Sequence, residues 1–232
     1  MTESPVTLIT GGSTGIGAAT ARRLLDHGHR VAVTGRDRDR LDRLAADLVH
    51  PDLLTLVADA ADPDATEGAV EATVKEFGRL DVAIANAGFT CHDDVATGDP
   101  VQWRAMVLTN VLGPMLLIRA ALPALKASRG RIVLVGSVAG FVHGAGNVYG
   151  ATKWAVTGLA ENTRRQVTAD GVGVTLIAPG RVETPFWDGL GHLPGGDLLT
   201  ADQLADAIVW AVGQPPLVDV NTVVVRPLGQ PV

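Results

Sequence analysis

The chain has 232 residues, of which 47% are apolar and 19% charged, with a formal net charge of −6 at pH 7. This balance allows a large core, excludes a disordered segment and offers no basic patch of the kind nucleic acid requires. A single cysteine, Cys91, excludes an intrachain disulfide and a multi-thiolate metal site, which fits a cytoplasmic protein.

The opening Met1-Thr2-Glu3-Ser4-Pro5 is polar and predicts no signal peptide. A β-branched run, Val6–Thr10, reads as the first strand, and a helix is expected over Gly15–His27. Between them lies Thr10-Gly11-Gly12-Ser13-Thr14-Gly15-Ile16-Gly17. Glycines at a strand-to-helix turn let the backbone approach a pyrophosphate, which the helix N-terminus then stabilises. The same stretch matches Gly-x-Ser-x-Gly, with Ser13 in the place of a hydrolase nucleophile. Only one strand precedes it, however, and neither His143 nor His192 sits in a triad context, so the phosphate reading is favoured.

The second strand, Val31–Gly35, ends at Gly35-Arg36-Asp37. A carboxylate at this strand end holds the ribose 2′-hydroxyl of NAD, whereas an arginine pairs with the 2′-phosphate of NADP. Gly35 stands in the acid's place and Arg36 follows, so NADP(H) is favoured and NAD(H) is left open. Asp37 either caps the next helix, Asp37–Val49, or reaches the ribose. The alternating charges from Arg36 to Arg43 read as a solvated helix face.

Strands follow at Leu53–Ala58, Asp81–Ala85, Arg131–Gly136, Val172–Ala178 and Thr222–Arg226. Helices are expected over Asp64–Phe77, Pro100–Ala127, Val148–Asp170 and Ala201–Val212. Strands joined by helix-length crossovers predict an α/β fold: one doubly wound (Rossmann) domain over 1–232, a parallel seven-stranded sheet with helices on both faces. Met106–Leu125 is interrupted by Thr109, Asn110, Pro114, Arg119 and Pro123 and reads as a long core helix, with no membrane span. Pro179 to Leu199 is rich in Gly and Pro, and a connection of that length predicts a substrate loop over 179–199.

Tyr149 and Lys153 stand at i and i+4 near the start of a helix, so both side chains can face one cleft. Tyr149 is the only tyrosine. A free phenol titrates near pH ~10, and a neighbouring cation lowers that value toward the range useful for proton transfer.

With these motifs in this order, the chain resembles the short-chain dehydrogenase/reductase family over essentially its whole length. The resemblance assigns Gly11, Ser13, Thr14, Gly15, Ile16 and Gly17 to the cofactor phosphates and Arg36 to the 2′-phosphate. Asp59 and Ala60 fall where the family contacts adenine, and Asn86-Ala87-Gly88 follows the fourth strand. Pro179, Gly180, Val182 and Thr184 fall where the family binds the nicotinamide side. It implies that Tyr149 is the general acid/base and that Lys153 lowers its pKa and holds the nicotinamide ribose. Ser137 would bond the substrate oxygen, and Asn110 would hold a water that links Lys153 to solvent. Ala85, Ala60 and Thr14 depart from the commoner residues, and Thr14 leaves Arg36 to discriminate with less help.

The substrate pocket is expected from Phe89–Asp93, Val138–Asn147 and Phe186–Leu199, with Val138, His143, Phe186 and Trp187 lining it and no metal. The ending Asp219–Pro227 resembles a subgroup that includes NADP-dependent 3-hydroxy acid dehydrogenases. The expected partner is a small carbonyl or alcohol substrate. The alternatives are a 3-oxoacyl-carrier-protein reductase and a non-catalytic NADP-binding sensor or scaffold. Family resemblance also implies a homo-dimer or homo-tetramer through Pro100–Ala127 and Val148–Asp170.

Overall fold

Alternating apolar strands and amphipathic helices assemble, in a computed structural model, into a three-layer α/β structure described over residues 4–190 and 192–230. Met1–Glu3, Pro231 and Val232 of the expected domain, and Gly191 of the expected loop, lie outside the described residues. The large sheet comprises β1 (Val6–Ile9), β2 (Arg30–Gly35), β3 (Leu53–Val57), β4 (Val82–Ala85), β5 (Arg131–Val135), β6 (Gly173–Pro179) and β9 (Thr222–Val225). All pairings are parallel, in the order β3-β2-β1-β4-β5-β6-β9. The seven expected strands are thus all present, each displaced by two residues at most.

Successive strand residues point to opposite faces, so the continuous apolar strands feed two cores. Leu8, Ala83, Ile132, Leu134 and Leu176 pack with Leu117, Leu125 and Val156 on one face. Ile9, Val33, Ile84, Val133 and Ile177 pack with Leu24, Leu204 and Ile208 on the other. Helices α3 (Pro63–Phe77), α5 (Gly113–Ser128) and α6 (Val148–Val167) cover the first face. The second is covered by α1 (Gly15–Asp26), α2 (Arg38–Leu48) and α7 (Ala201–Val212). Chain direction across the sheet reverses between β1 and β4, and in such sheets the crevice beyond the strand ends at that reversal is where ligands bind.

The expected helix Pro100–Ala127 is interrupted. α4 (Pro100–Val107) passes into a π-helical turn, Leu108–Leu112, before α5 begins, and Asn110 is buried inside that turn. A π turn inserts one residue into the helical ladder and often marks a functional position. By length and apolar composition the whole segment Pro100–Ser128 qualifies as a membrane span. The interruptions in its sequence therefore do not separate the two cases, as they were expected to. One face of the segment is packed into the protein: Met106, Asn110, Gly113, Pro114, Leu117, Ala121 and Leu125 are buried.

The 179–199 loop carries more structure than its composition suggests. A short helical turn, Pro185–Leu190, stands in it. Its base is closed by a two-stranded parallel ribbon, β7 (Val182–Glu183) with β8 (Leu199–Thr200).

Candidate active site

Five helices start on a side-chain cap: Asp37, Asp62, Asp99, Asn147 and Thr200 each accept a backbone N–H of the first turn. At α1 the cap position is Thr14, and its side chain makes no such bond. The first-turn N–H groups of this one helix are left facing the cleft, where an anion can satisfy them. The turn that brings them there depends on two glycines. Gly11 has φ +64° and lies so close to β4 that a Cβ would stand 2.8 Å from Ala87 Cα, while Gly15 has φ +55°. Asn86 pins the turn by donating from Nδ2 to the carbonyls of Thr10 and Gly11, at 3.0 and 2.9 Å.

The cleft above this turn has a volume of about 1050 Å3. Gly11, Ser13, Thr14, Gly15 and Ile16 line its floor, with Asn86, Ala87 and Gly88 beside them. Gly17 does not line it. Gly17 packs beneath, where a Cβ would run into the Gly11 carbonyl and the Asn86 amide, so its smallness serves the turn rather than a ligand. Toward β2 and β3 the wall is Arg36, Asp37, Arg40, Asp59 and Ala60. Asp59 accepts the Ala61 N–H at 2.9 Å and so shapes the turn after β3.

Asp37 is resolved between its two expected roles. Its carboxylate accepts the Arg40 N–H at 3.1 Å as the α2 cap and pairs with Arg40 Nε at 3.3 Å. Among the described residues Arg36 has no such partner, and it is exposed at the cleft edge. Arg40 is a second cation on that wall that motif reading passed over. Its signal was the i+3 spacing from the capping residue, which turns the first-turn side chain back toward the strand end.

At the opposite end, Ser137, Tyr149 and Lys153 meet. β5 ends at Val135, and Ser137 then begins a tight turn by accepting the Ala139 N–H at 3.1 Å. α6 starts on Asn147, so Tyr149 and Lys153 lie on its first two turns and share one face. The Ser137 hydroxyl stands near enough to the Tyr149 phenol to favour its ionised form. Lys153 is 95% buried by its neighbours (5% exposed), and its Nζ donates to the Val135 carbonyl at 2.9 Å. Burial draws the ammonium down to about 8.

The Tyr149 phenol does not behave as its spacing from Lys153 suggests. Burial pushes its pKa above the ordinary phenol value, and the Ser137 hydroxyl pulls the other way. The reason is geometric: Nζ lies 5.7 Å from the centre of the ring and is bonded to Val135. In this arrangement the Tyr149 phenol is held in its neutral form.

Asn110 does not line the cleft. Its Oδ1 accepts the Phe89 N–H at 3.0 Å, and its Nδ2 donates to the Phe89 carbonyl at 2.9 Å and to Thr152 Oγ1 at 3.1 Å. Both amide hydrogens are thus used in clamping the segment after β4 to α6. Oδ1 and Lys153 Nζ both crowd Gly88, 3.2 and 3.6 Å from where a Cβ would stand.

Pro179, Gly180, Val182 and Thr184 line the same end, together with Val138, Phe186 and Trp187. The Phe186 ring meets Tyr149 edge-on at 5.5 Å between centres, and Trp187 meets Phe186 at 5.1 Å. His143 is elsewhere. It is exposed and stacked on Trp154 at 5.1 Å, outside the cleft, so the expected pocket histidine is corrected. His92 does not line the cleft either, but it stacks on Trp187 at 5.7 Å, with Nε2 3.3 Å from the Phe186 carbonyl oxygen. Cys91 is partly buried and its thiol is pushed up, chiefly by burial and then by Asp93 and Asp99. Among the described residues no group of His, Cys, Asp and Glu is arranged to hold a metal.

The sequence profile of the short chain dehydrogenases matches residues 5–192. The chain belongs to the short-chain dehydrogenase family. Serine 3-dehydrogenase of Agrobacterium fabrum is 35% identical over 236 residues, covering 96% of this chain and 94% of that protein. Among solved structures, an alcohol dehydrogenase of the archaeon Thermococcus sibiricus, complexed with 5-hydroxy-NADP, has a TM-score of 0.89 at 29% identity, with 98% of each chain covered. The closed form of a serine dehydrogenase complexed with NADP+ also gives 0.89 at 29% identity, covering 97% of this chain and 96% of that one. This short-chain dehydrogenase therefore shares its fold and chain length with oxidoreductases along their whole extent.

Proposed function

We propose that the chain is an NADP(H)-dependent oxidoreductase that interconverts a small ketone or aldehyde and its alcohol, with a 3-hydroxy acid as the favoured substrate class. The observation that carries this is one continuous cleft with an uncapped helix end and two arginines at one extremity and Ser137, Tyr149 and Lys153 at the other. The similarity to serine 3-dehydrogenase, which is named for a 3-hydroxy acid, supports the substrate class.

The residues fit a dinucleotide on three counts. The first-turn N–H groups of α1 suit a pyrophosphate, and the close approach of Gly11 to Ala87 clears the backbone path for it. Arg36 suits a 2′-phosphate, and Asp37, which would oppose one, is occupied with the α2 cap and Arg40. The volume suffices for a large ligand, since pockets for drug-sized molecules run to roughly 1,000 Å3. Lys153 would hold the nicotinamide ribose by exchanging the Val135 carbonyl for a hydroxyl. The bound cofactor supplies the hydride.

The protein's own part is proton placement. Tyr149, kept protonated by burial, donates to a carbonyl oxygen seated against it in the direction of reduction. The Ser137 hydroxyl bonds that oxygen and steadies charge as it develops. Once exchanged from the Val135 carbonyl to the ribose, the Lys153 ammonium stabilises the phenolate left behind. Asn110 acts by holding the Phe89 segment against α6, which fixes the floor beneath Lys153. Phe186 and Trp187 exclude water from Tyr149.

The test is purified protein with NADPH and a panel of ketones, aldehydes and β-keto acids, with acyl-carrier substrates alongside. It is followed at the absorbance of the reduced nicotinamide. Oxidation of NADPH dependent on a free carbonyl is expected. Tight NADPH binding with no turnover of any carbonyl or alcohol would overturn the enzymatic reading. A second copy of the chain is also proposed to cover α4, α5 and α6, whose exposed apolar residues include Val107, Met115 and Trp154. A monomer on gel filtration would count against that.

A further inference from the structure

The end of the cleft nearest Tyr149 has a wall braced by the C-terminal part of the chain. β6 stops at Pro179, and the next two residues, Gly180 and Arg181, turn over the cleft beside Ser137. Their backbone is tied to the far C-terminal part of the chain. Gly180 N–H donates to the Val225 carbonyl at 2.7 Å, and Arg181 N–H donates to Gln230 Oε1 at 2.9 Å. Gln230 itself lines the cleft, and its own N–H closes a turn on the Pro227 carbonyl at 3.2 Å. The fit is tight enough that Gly180 must lack a side chain. A Cβ there would collide with Gln230 Oε1 and stand 3.0 Å from Pro227 Cδ.

Arg181 also fastens the substrate loop. Its carbonyl accepts the Leu199 N–H at 2.9 Å, and its guanidinium donates to the Gly195 carbonyl. One residue thus joins three segments: the end of β6, the base of the 182–200 loop, and the C-terminal turn. Two of its three backbone and side-chain ties hold the loop, and the third is Gln230.

We propose that Gln230 is a positioning residue for the nicotinamide half of the cofactor and for the substrate loop. It acts through Arg181, and this rests on the NADP(H) reading of the cleft given above. Loss of the Gln230 acceptor leaves the Arg181 N–H without its partner and frees the turn at Gly180, while the adenine half of the cleft, built from β1, β2 and α1, is untouched.

The experiment compares two ligands by calorimetry on the purified chain. One is NADPH, which would span the whole cleft. The other is adenosine 2′,5′-bisphosphate, which would fill only the Arg36 end. Gln230→Met keeps the shape of the side chain and removes the acceptor. It should weaken NADPH about five- to tenfold, as one backbone hydrogen bond lost beside a ligand implies, and leave the bisphosphate unchanged. Digestion of the 185–198 loop by a protease should quicken in the same variant. Gln230→Glu keeps an acceptor for Arg181 and should restore the wild-type digestion rate, whatever its added charge does to an anionic cofactor. Equal losses for both ligands, or no loss for either, would overturn the role of Gln230. Failure of the unaltered chain to bind NADPH would overturn the cofactor reading itself.

Discussion

The two ends of the cleft are made by different means. The Arg36 end is mostly local: the bare start of α1 and the capped start of α2 are each formed within a few residues of chain, and the glycine turn takes one distant pin, Asn86. The Tyr149 end is assembled from far apart. Ser137 follows β5, Tyr149 and Lys153 ride on α6, Asn110 reaches in from a π turn, and the 182–200 loop closes above. A local site is set by backbone geometry and tolerates distant change. An assembled site depends on packing between elements and on the few bonds that bridge them. Binding and chemistry should therefore be separable by mutation.

The largest separation is expected for Tyr149→Phe. Removing the proposed general acid should lower kcat by about 10³-fold, within the span that general acid catalysis contributes. Affinity for NADPH, measured by calorimetry, should stay within about twofold, since no binding contact rests on the hydroxyl alone. A parallel collapse of affinity would mean that the two ends are one cooperative unit.

The converse probe is Arg36→Ala, with Arg40→Ala as its extension. Charge-assisted hydrogen bonds contribute roughly 1.5–3 kcal/mol, so NADPH should weaken by about 10- to 100-fold and NADH by little. kcat at saturating NADPH should hold. Equal weakening of NADPH and NADH would remove the basis for cofactor choice at this end.

A smaller effect links the ends through pH. Burial holds the Lys153 ammonium at about 8, below its usual range, so the charged form is the one the fold disfavours. Stability due to this group is accordingly lowest below pH 8 and rises as pH passes upward through that value. Cofactor binding has the opposite sign, because the ribose is to be held by the protonated amine. NADPH affinity should fall above pH 8 by up to about tenfold per unit. Lys153→Met should abolish that break in the binding profile, and its persistence would assign the break to another group.

The parts that were legible from sequence follow the same division. Strands of continuous Val, Ile and Leu, and a glycine turn between the first strand and helix, announce themselves by local pattern. So did Tyr149 and Lys153, because i and i+4 residues share a helix face. What stayed hidden needed tertiary contacts. The π turn at Asn110 has no periodicity of its own, and it appears because a polar side chain must reach Phe89 and Thr152 from a packed helix. His143 and His92 are equally plausible as loop histidines. Only the course of the loops puts one on the outer face with Trp154 and the other against Trp187. The setting of the Tyr149 phenol stayed hidden for a related reason, since sequence spacing shows that a cation is near but not that Val135 holds it.

Asp37 gives the smallest and most pointed test of the local end. Its carboxylate caps α2 through the Arg40 N–H and pairs with the Arg40 side chain, both at an exposed site. Loss of an N-cap costs about 1 kcal/mol, and in a chain of this size that lowers Tm by roughly 2–4 °C. The exposed ion pair adds little to this. Asp37→Ala should therefore destabilise the protein slightly while leaving NADPH affinity unchanged or improved, because an anion is removed beside the proposed 2′-phosphate site and Arg40 is released toward it. Had Asp37 been the ribose ligand of an NAD enzyme, the same change would weaken NADH and spare the melting temperature. The paired measurement of Tm and the NADPH-to-NADH affinity ratio distinguishes a cap from a cofactor ligand at one residue.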